Sequence, residues 1–339
     1  MAQTYGFEIE SFGLTPAQLK NAIESVEGQV YQAPNNPWGS GSNVVNQRIY
    51  SYGESKRLPL RIGETGHLWV AAQDSTIRNT AGRGISHEII SPVLEGQEGL
   101  AQLRKVMRAL KNAGAQVNKS CGLHVTMGVE NVSMRYRRMG AWKKMSCLMN
   151  LAEAYHYFQA GFTSLNPESR NPYSRQSDVY NGAIRMGWAN QFGKNDKHTA
   201  KAAAHGRKNA ISAMLQLGRG VLNYGHIWNK GVIEFRQHSG SLNGTKITNW
   251  ALLCHKLLSW ALNPEHPNHG ADVREYPPNL DGLINMTAVG SMLRDALEMR
   301  HSELFVARVR AGLPSIEATP EAFTTYRDYQ YSTVGQEVF

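Results

Sequence analysis

The sequence predicts an α+β fold in which helices flank a largely antiparallel sheet. Short apolar segments carry charged residues two positions apart, as in Phe7-Glu8-Ile9-Glu10 and Glu234-Phe235-Arg236. On a strand, this spacing places the charges on one face and the apolar side chains on the other. The predicted strands and helices also lack the regular alternation that a doubly wound parallel sheet requires, which favours an antiparallel arrangement.

The N-terminal region predicts a strand followed by a helix. Residues 3–12 alternate as a strand does, and residues 15–27 are typical of a helix. Thr15 is expected to cap this helix, Pro16 suits its first position, and Gly28 follows its end.

A loop and two further strands follow. Residues 33–46 are rich in Asn, Pro, Gly and Ser, which favours a loop. Residues 69–72 predict a strand that leads into a turn at 74–77. Residues 85–92 predict a strand that ends at Pro92, because proline cannot donate a hydrogen bond to the ladder.

The central region predicts an amphipathic helix and two strands. The helix covers residues 98–113 and is followed by Gly114; its apolar face consists of Leu100, Leu103, Val106, Met107 and Leu110. Residues 122–129 and 232–238 show the alternation of strands that carry polar residues on one face.

Three longer helical patterns complete the chain, at residues 138–162, 245–262 and 287–312. The stretch 165–209 is polar and basic and matches no regular pattern. The last fifteen residues are polar and aromatic, so we expect them either to dock on a surface or to stay disordered.

Composition indicates a cytoplasmic protein without a membrane segment. The 339 residues are 41% hydrophobic, and no run of about 18 uncharged apolar residues and no signal-peptide pattern occurs. The three cysteines are far apart and form no CxxC motif, which fits a reducing compartment; they are Cys121, Cys147 and Cys254.

The formal net charge of +9 permits contact with nucleic acid or with anionic substrates. Basic residues cluster at Arg135–Lys144 and Lys194–Lys208. A solvated basic surface is the simplest interpretation of both clusters, and binding of phosphate or polynucleotide is the alternative.

Glu8 and Glu10 are the first candidates for chemistry. Side chains two apart on a strand lie about 7 Å apart on one face, which suits two neighbouring Mg²⁺ or Mn²⁺ ions. Carboxylates on an inner sheet face need compensating cations, and divalent metals that hold a nucleotide phosphate would compensate them. An edge strand with a solvated face would explain the same spacing.

Two further strands carry candidate ligands. Glu88 lies among apolar residues, where a carboxylate is either partnered or functional, whereas His87 faces the other way and is expected to be structural. His124 shares a strand face with Thr126 and follows Gly122, which allows close approach of backbone or ligand. A lone histidine on a strand is more often structural than a metal ligand.

The predicted strand at 232–238 carries one acidic and one basic side chain. Glu234 and Arg236 share a face, which His238 continues, so this pair could bind a metal with one member and an anionic substrate or phosphate with the other. A cross-strand salt bridge is the alternative. Arg170 and Arg175 lie in a polar loop that could clamp a γ-phosphate.

Several familiar sites are absent from the sequence. It contains no Walker A loop, no GxGxxG after a strand, no nucleophile elbow and no HExxH or CxxC site. Phosphate binding would therefore depend on metals and arginines.

Five motifs occur in a family-specific order: Gly6-Phe7-Glu8-Ile9-Glu10, Trp69 with Asp74-Ser75-Thr76-Ile77, His87-Glu88-Ile89-Ile90-Ser91-Pro92, Cys121-Gly122-Leu123-His124-Val125, and the segment from Val232 to Leu242. Together they resemble the amidoligase family over residues 5–262. That family belongs to the carboxylate–amine ligase superfamily of glutamine synthetase and glutamate–cysteine ligase.

The resemblance implies a sheet curved around an ATP site, with Mg²⁺ or Mn²⁺ between the sheet and the phosphates. The implied metal ligands are Glu8, Glu10, Glu88, His124 and Glu234. Arg236 would hold the substrate carboxylate or phosphate, whereas Arg170 and Arg175 match no family motif and are assigned here from the loop alone.

The chain departs from the family pattern at two points. Thr126 stands where the family often has a second histidine. The further metal glutamate of glutamine synthetase has no clear counterpart, and Glu95 is the candidate for it. One metal would then be bound more loosely, or held by ATP and water.

The sequence therefore predicts an ATP-dependent ligase that forms an amide bond through an acyl phosphate. The alternatives are a phosphotransferase that uses the same site, and a basic nucleic-acid-binding or assembly protein without catalysis. We expect residues 1–265 to form the catalytic domain and residues 266–339 to form a helical extension and tail packed on it. Substrates would be a small-molecule or peptide carboxylate and amine, with a nucleic acid or modified base as a further option, and an oligomer is compatible with the sequence.

Overall fold

The computed structural model describes residues 2–27, 30–32, 69–74, 76–167 and 221–311. These residues belong to two compact units, each assembled from separate stretches of the chain. Among the described residues, the first unit comprises 2–27, 30–32, 69–74, 76–128 and 238–252. The second comprises 129–167, 221–237 and 253–311. The division into these units does not coincide with the predicted domain boundary after residue 265. The predicted catalytic domain and helical extension stay a prediction.

The first unit contains a sheet with strands in the order β2-β3-β4-β1-β6. The strands are β1 (Thr4–Leu14), β2 (Val30–Gln32), β3 (Trp69–Gln73), β4 (Ile85–Ile90), β5 (Leu94–Glu95) and β6 (Gly122–Gly128). Strand β1 pairs antiparallel with β4 and β6, and the short β5 pairs with its beginning. Only β2 and β3 run parallel among the described pairs. The predicted α+β class with a largely antiparallel sheet is confirmed.

The alternation of charged and apolar residues on β1 determines which face is buried. Tyr5, Phe7 and Ile9 are almost completely buried, whereas Glu8 and Glu10 between them remain partly exposed. Because successive side chains of a strand point to opposite faces, the apolar residues supply the core and the glutamates occupy the other face, as predicted.

Strand β1 contains a bulge near its end. The register shifts between Phe12 and Leu14, and Gly13 adopts a left-handed conformation with φ of 94°. A side chain at Gly84 would meet the backbone of Gly13 and Leu14 at 2.5–2.6 Å, so glycine is required where the two segments cross.

Two helices cover part of the first unit, α1 (Pro16–Glu27) and α2 (Gly96–Ala113). A capping box begins α1: Thr15 and Gln18 exchange hydrogen bonds between side chain and backbone, at 2.9 and 3.2 Å. The predicted apolar face of α2 is buried, and Gly114, with φ of 98°, ends the helix as expected.

The second unit is largely helical. Its strands are β7 (Leu222–Asn223) and most of β8 (Val232–Ser239), which pair antiparallel. Its helices are α3 (Met134–Arg138), α4 (Ala141–Tyr157), α5 (Gln159–Ser164), α6 (Ile227–Lys230), the second part of α7 (Gly244–Leu262), α8 (Leu280–Met286) and α9 (Ser291–Arg310).

One predicted helix is divided in the structure, and another begins later than predicted. The pattern at 138–162 becomes three helices, because Gly140 separates α3 from α4 and the chain turns at Phe158. The pattern at 287–312 begins only at residue 291, after Ala288 takes a positive φ of 48° and Gly290 caps α9. Hydrophobic spacing continued through these breaks and concealed them.

Candidate functional site

Three adjacent strands of the first unit bring four candidate residues onto one face. Glu8 on β1 lies opposite His124 on β6, and Glu10 on β1 lies opposite Glu88 on β4. Residues opposite each other in an antiparallel pair share a face. We call these four residues the sheet cluster: Glu8, Glu10, Glu88 and His124.

Glu8 and His124 form the closest charged contact of the sheet cluster. The Oε2 atom of Glu8 lies 2.9 Å from Nδ1 of His124, and the imidazole is 5% exposed. A carboxylate can only accept, so Nδ1 donates in this bond. Nε2 lies 4.0 Å from Oε1 of Glu10, so both ring nitrogens face carboxylates of the sheet cluster.

The other two carboxylates are held on the same face. The backbone N–H of Gly122 donates to Oε2 of Glu10 at 2.7 Å. Glu88 is 2% exposed and is flanked by Ala72 on β3. Because burying a carboxylate costs free energy unless a cation compensates it, three carboxylates on one face favour cation binding.

A second group lies on β8 and β7 of the second unit. Arg236 donates from Nη1 to Oε1 of Glu234, and Asn223 donates from Nδ2 to the other oxygen at 2.7 Å. The N–H of Gly225 fixes the Asn223 amide by donating to its Oδ1 at 2.7 Å. We call Glu234 and Arg236 the strand pair. Their contact runs along one strand rather than across two.

Asn223 is a site residue that was not predicted from the sequence. It is buried and lies opposite Glu234 in the β7–β8 pair. Strand β7 has only two residues, which is too short for a periodic pattern, so nothing in the sequence indicated its register.

Two other histidines of these strands have structural contacts. His87 bonds through Nε2 to the carbonyl of Leu14 at 2.9 Å, and burial lowers its pKa, in agreement with the expected structural role. The ring of His238 packs against Trp250, with centroids 4.9 Å apart, and its Nδ1 bonds the carbonyl of Ser239. The expected extension of the Glu234 face by His238 therefore gains no support from these contacts.

The predicted arginine clamp and one basic cluster lie outside the described residues. These are Arg170, Arg175 and the segment Lys194–Lys208. The other cluster, Arg135–Lys144, contains surface ion pairs: Arg135 with Glu265, and both Arg137 and Lys144 with Glu130. The hydrogen bond from Lys144 lowers the pKa of Glu130.

A protein-family model described as "Putative amidoligase enzyme" matches residues 1–258. No curated protein and no solved structure matches the chain. None of the helices in the described ranges is long and apolar enough to cross a membrane.

Proposed function

The chain belongs to the family of putative amidoligase enzymes, and from that premise we propose that it is an ATP-dependent carboxylate–amine ligase. One substrate would supply a carboxylate and the other an amine, and ATP would activate the carboxylate as an acyl phosphate. The proposal rests on the family and on the concentration of metal-ligand side chains on a sheet face.

One observation carries the metal-dependent part of this proposal. The Glu8 carboxylate and the His124 imidazole lie 2.9 Å apart on neighbouring strands of the first unit and could bind a metal ion together. Glu234 stays a predicted metal ligand. Carboxylate and imidazole ligands suit a divalent cation, and with ATP as substrate Mg²⁺ or Mn²⁺ is the natural choice. We assign Glu10 and Glu88 to a second cation, because both carboxylates lie on the same face as Glu8.

A bound divalent cation would neutralise phosphate oxygens and align them. The residues of the chain would do the rest of the positioning. Glu8 orients the His124 ring through their contact at Nδ1, and Gly122 orients the Glu10 carboxylate. Arg236 would bind the anionic oxygens of the substrate carboxylate or the phosphate, which is the role its planar guanidinium suits best.

The reaction then has two balanced steps. The substrate carboxylate oxygen attacks the γ-phosphorus, the bond to the β-phosphate oxygen breaks, and ADP leaves. The amine nitrogen next attacks the acyl carbon, inorganic phosphate leaves, and the nitrogen loses a proton. Arg170 and Arg175 remain proposed phosphate ligands. Catalysis of this kind consists of positioning and charge stabilisation.

Hydroxylamine provides a test that does not require the natural amine. It captures acyl phosphates as hydroxamates, so the enzyme can be screened with Mg²⁺, ATP, hydroxylamine and a panel of carboxylic acids. We expect one or a few acids to give hydroxamate and ADP in equal amounts, and Glu8→Gln to give neither. A phosphorylated product that hydroxylamine does not capture would instead indicate the phosphotransferase.

The non-catalytic alternative makes a different prediction. A nucleic-acid-binding or assembly protein would bind DNA or RNA without metal or ATP, with an affinity that falls steeply as salt rises. Ion pairs at Arg135, Arg137 and Lys144 reduce the charge that this segment offers to a polynucleotide, which favours the ligase. Either basic cluster could accompany a nucleobase or a peptide as the amine substrate. An oligomer is also compatible with the proposal.

A further inference from the structure

The loop that joins β3 to β4 is anchored at several points. Ile77 is buried with Phe12 and Cys121, and Ser86 donates from its hydroxyl to the carbonyl of Ile77 at 2.9 Å. Asn79 closes the loop by donating to the carbonyls of Arg83 and Gly84, at 3.0 and 3.1 Å. Residues 76–84 therefore have a defined conformation, and we call them the 76–84 loop.

The backbone of Arg78 is fixed from both sides by the turn before β6. Its N–H donates to Oγ of Ser120 at 2.9 Å, and its carbonyl accepts from Nδ2 of Asn118 at 2.7 Å. Ser120 in turn donates from its own N–H and hydroxyl to Oδ1 of Asn118, at 2.9 and 2.6 Å. Three polar groups thus fix the position from which the Arg78 side chain extends.

That position lies at the end of the sheet where the Glu10 and Glu88 carboxylates are found. Ser120 precedes Gly122 by two residues, a separation of at most about 7 Å between Cα atoms, and Gly122 binds the Glu10 carboxylate. The 76–84 loop connects directly to β4, which carries Glu88. The backbone of Arg78 is therefore anchored beside the segment that binds Glu10, on the loop that leads into the strand carrying Glu88.

The guanidinium of Arg78 does not pair with an acidic side chain of the described residues. Its side chain is exposed, and it has no ion pair with any described residue. Arg83, on the same loop, differs: its Nη2 lies 3.2 Å from where a Cβ of Gly114 would be. That places it at the C-terminus of α2, where the helix dipole favours a cation.

We propose that Arg78 is a phosphate-binding residue of the ATP site and that Arg83 is not. This inference rests on the proposed function, because it requires a nucleotide on the carboxylate face. Metal ions bound by the glutamates would hold the phosphates from one side, and the guanidinium would bind the same oxygens from the edge of the sheet. Arginine and phosphate pair by two parallel charge-assisted hydrogen bonds.

Calorimetric titration of Mg·ATP into the full-length protein tests the assignment. We expect Arg78→Gln to weaken binding about 10- to 100-fold, as loss of a charge-assisted phosphate contact does. Arg78→Lys should recover part of the loss, because the charge remains and the bidentate geometry does not. Arg83→Gln, which removes the same charge from the same loop, should change the affinity less than about twofold.

Titration of Mn²⁺ alone gives a second measurement. Arg78→Gln should leave it unchanged, since Arg78 binds phosphate and not metal. Equal losses of Mg·ATP affinity in Arg78→Gln and Arg83→Gln would overturn the assignment and indicate a general surface charge effect, and wild-type affinity in Arg78→Gln would overturn it as well. Absence of Mg·ATP binding by the wild type would reject the proposed function itself, and with it the role of Arg78.

Discussion

The sheet cluster and the strand pair both contain buried carboxylates, but they compensate these charges differently. In the sheet cluster, Glu8 bonds an imidazole and Glu10 bonds a backbone amide, and neither partner is a permanent cation. In the strand pair, Glu234 has the guanidinium of Arg236 and the amide of Asn223. The three carboxylates of the first arrangement favour binding of a cation, whereas the second already pairs its carboxylate with a guanidinium.

This difference indicates how the two groups should respond to ligands. Metal binding should stabilise the first unit through the sheet cluster, because a cation on this face is attracted by its three carboxylates. In the strand pair, a metal ion could replace the Arg236 guanidinium as the partner of the Glu234 carboxylate. The guanidinium would then be available to bind an anion. One carboxylate would thus couple metal binding to the anion affinity of Arg236.

The largest expected effect comes from Glu8→Gln. An amide cannot supply the anionic ligand and cannot hold Nδ1 of His124 as a carboxylate does, so we expect ATP-dependent turnover and Mn²⁺ affinity to fall at least about 100-fold. Hydroxamate formation and Mn²⁺ electron paramagnetic resonance measure the two quantities. Glu130→Gln, which removes an exposed carboxylate, is the matched control. Wild-type Mn²⁺ affinity in Glu8→Gln would show that the sheet cluster is not a metal site.

Arg236→Gln should have the second-largest effect. It leaves the buried Glu234 carboxylate without its cation, which we expect to lower the free energy of unfolding by about 1–3 kcal/mol in the absence of metal. Millimolar Mg²⁺ should restore part of this loss, because the metal replaces the guanidinium charge. Urea unfolding with and without Mg²⁺ measures both values. A loss that Mg²⁺ does not change would argue against Glu234 as a metal ligand.

Asn223→Ala should have a smaller effect. It removes the hydrogen bond from the Asn223 amide to Glu234, so we expect a loss of about 1 kcal/mol of stability. We also expect a reduced affinity for Mn²⁺, because the carboxylate is oriented less firmly. The matched control is Asn285→Ala, which removes an exposed amide that bonds Arg294. Equal Mn²⁺ affinity in the two variants would show that Asn223 does not position the carboxylate.

The last prediction concerns pH rather than a ligand, and it separates acid sensitivity of the fold from that of the site. Burial lowers the pKa of His255 on α7 to about 4, so below pH 6.5 the unfolded chain takes up a proton that the folded chain does not. Stability must therefore fall as the pH falls from 6.5 towards 4, by no more than about 3 kcal/mol from this group. His87 and His266 are shifted in the same direction.

Urea unfolding of the wild type and His255→Gln at pH 7 and pH 4.5 checks this interpretation. The variant should lose less stability than the wild type over that interval. Identical losses would show that His255 does not contribute to acid sensitivity, and any acid loss of activity would then have to be sought at other groups.

The alternation on β1 was sufficient to predict which residues face the core and which form the candidate site. Glu8 and Glu10 lie on the face opposite Phe7 and Ile9 because strand geometry allows nothing else once the apolar residues are buried. The cap at Thr15 was equally predictable, because its hydrogen bonds are local.

Features that depend on long-range register could not be predicted. The contact between Glu8 and His124 joins residues 116 positions apart, and the anchoring of Arg78 depends on Asn118 and Ser120, about forty residues further along the chain. Hydrophobic spacing identifies each strand but not its partner. The break at Gly140 was missed because apolar spacing continued through it.

Thermal stabilisation by Mg²⁺ and ATP together tests the central claim most directly. We would compare the wild type with Glu234→Gln, using Glu130→Gln as the control for loss of a carboxylate. Binding to the native state must raise the unfolding temperature, so we predict a metal-dependent increase in the wild type and in the control but not in Glu234→Gln. No increase in any of the three proteins at millimolar ATP and metal would contradict the ligase proposal and favour salt-dependent nucleic-acid binding.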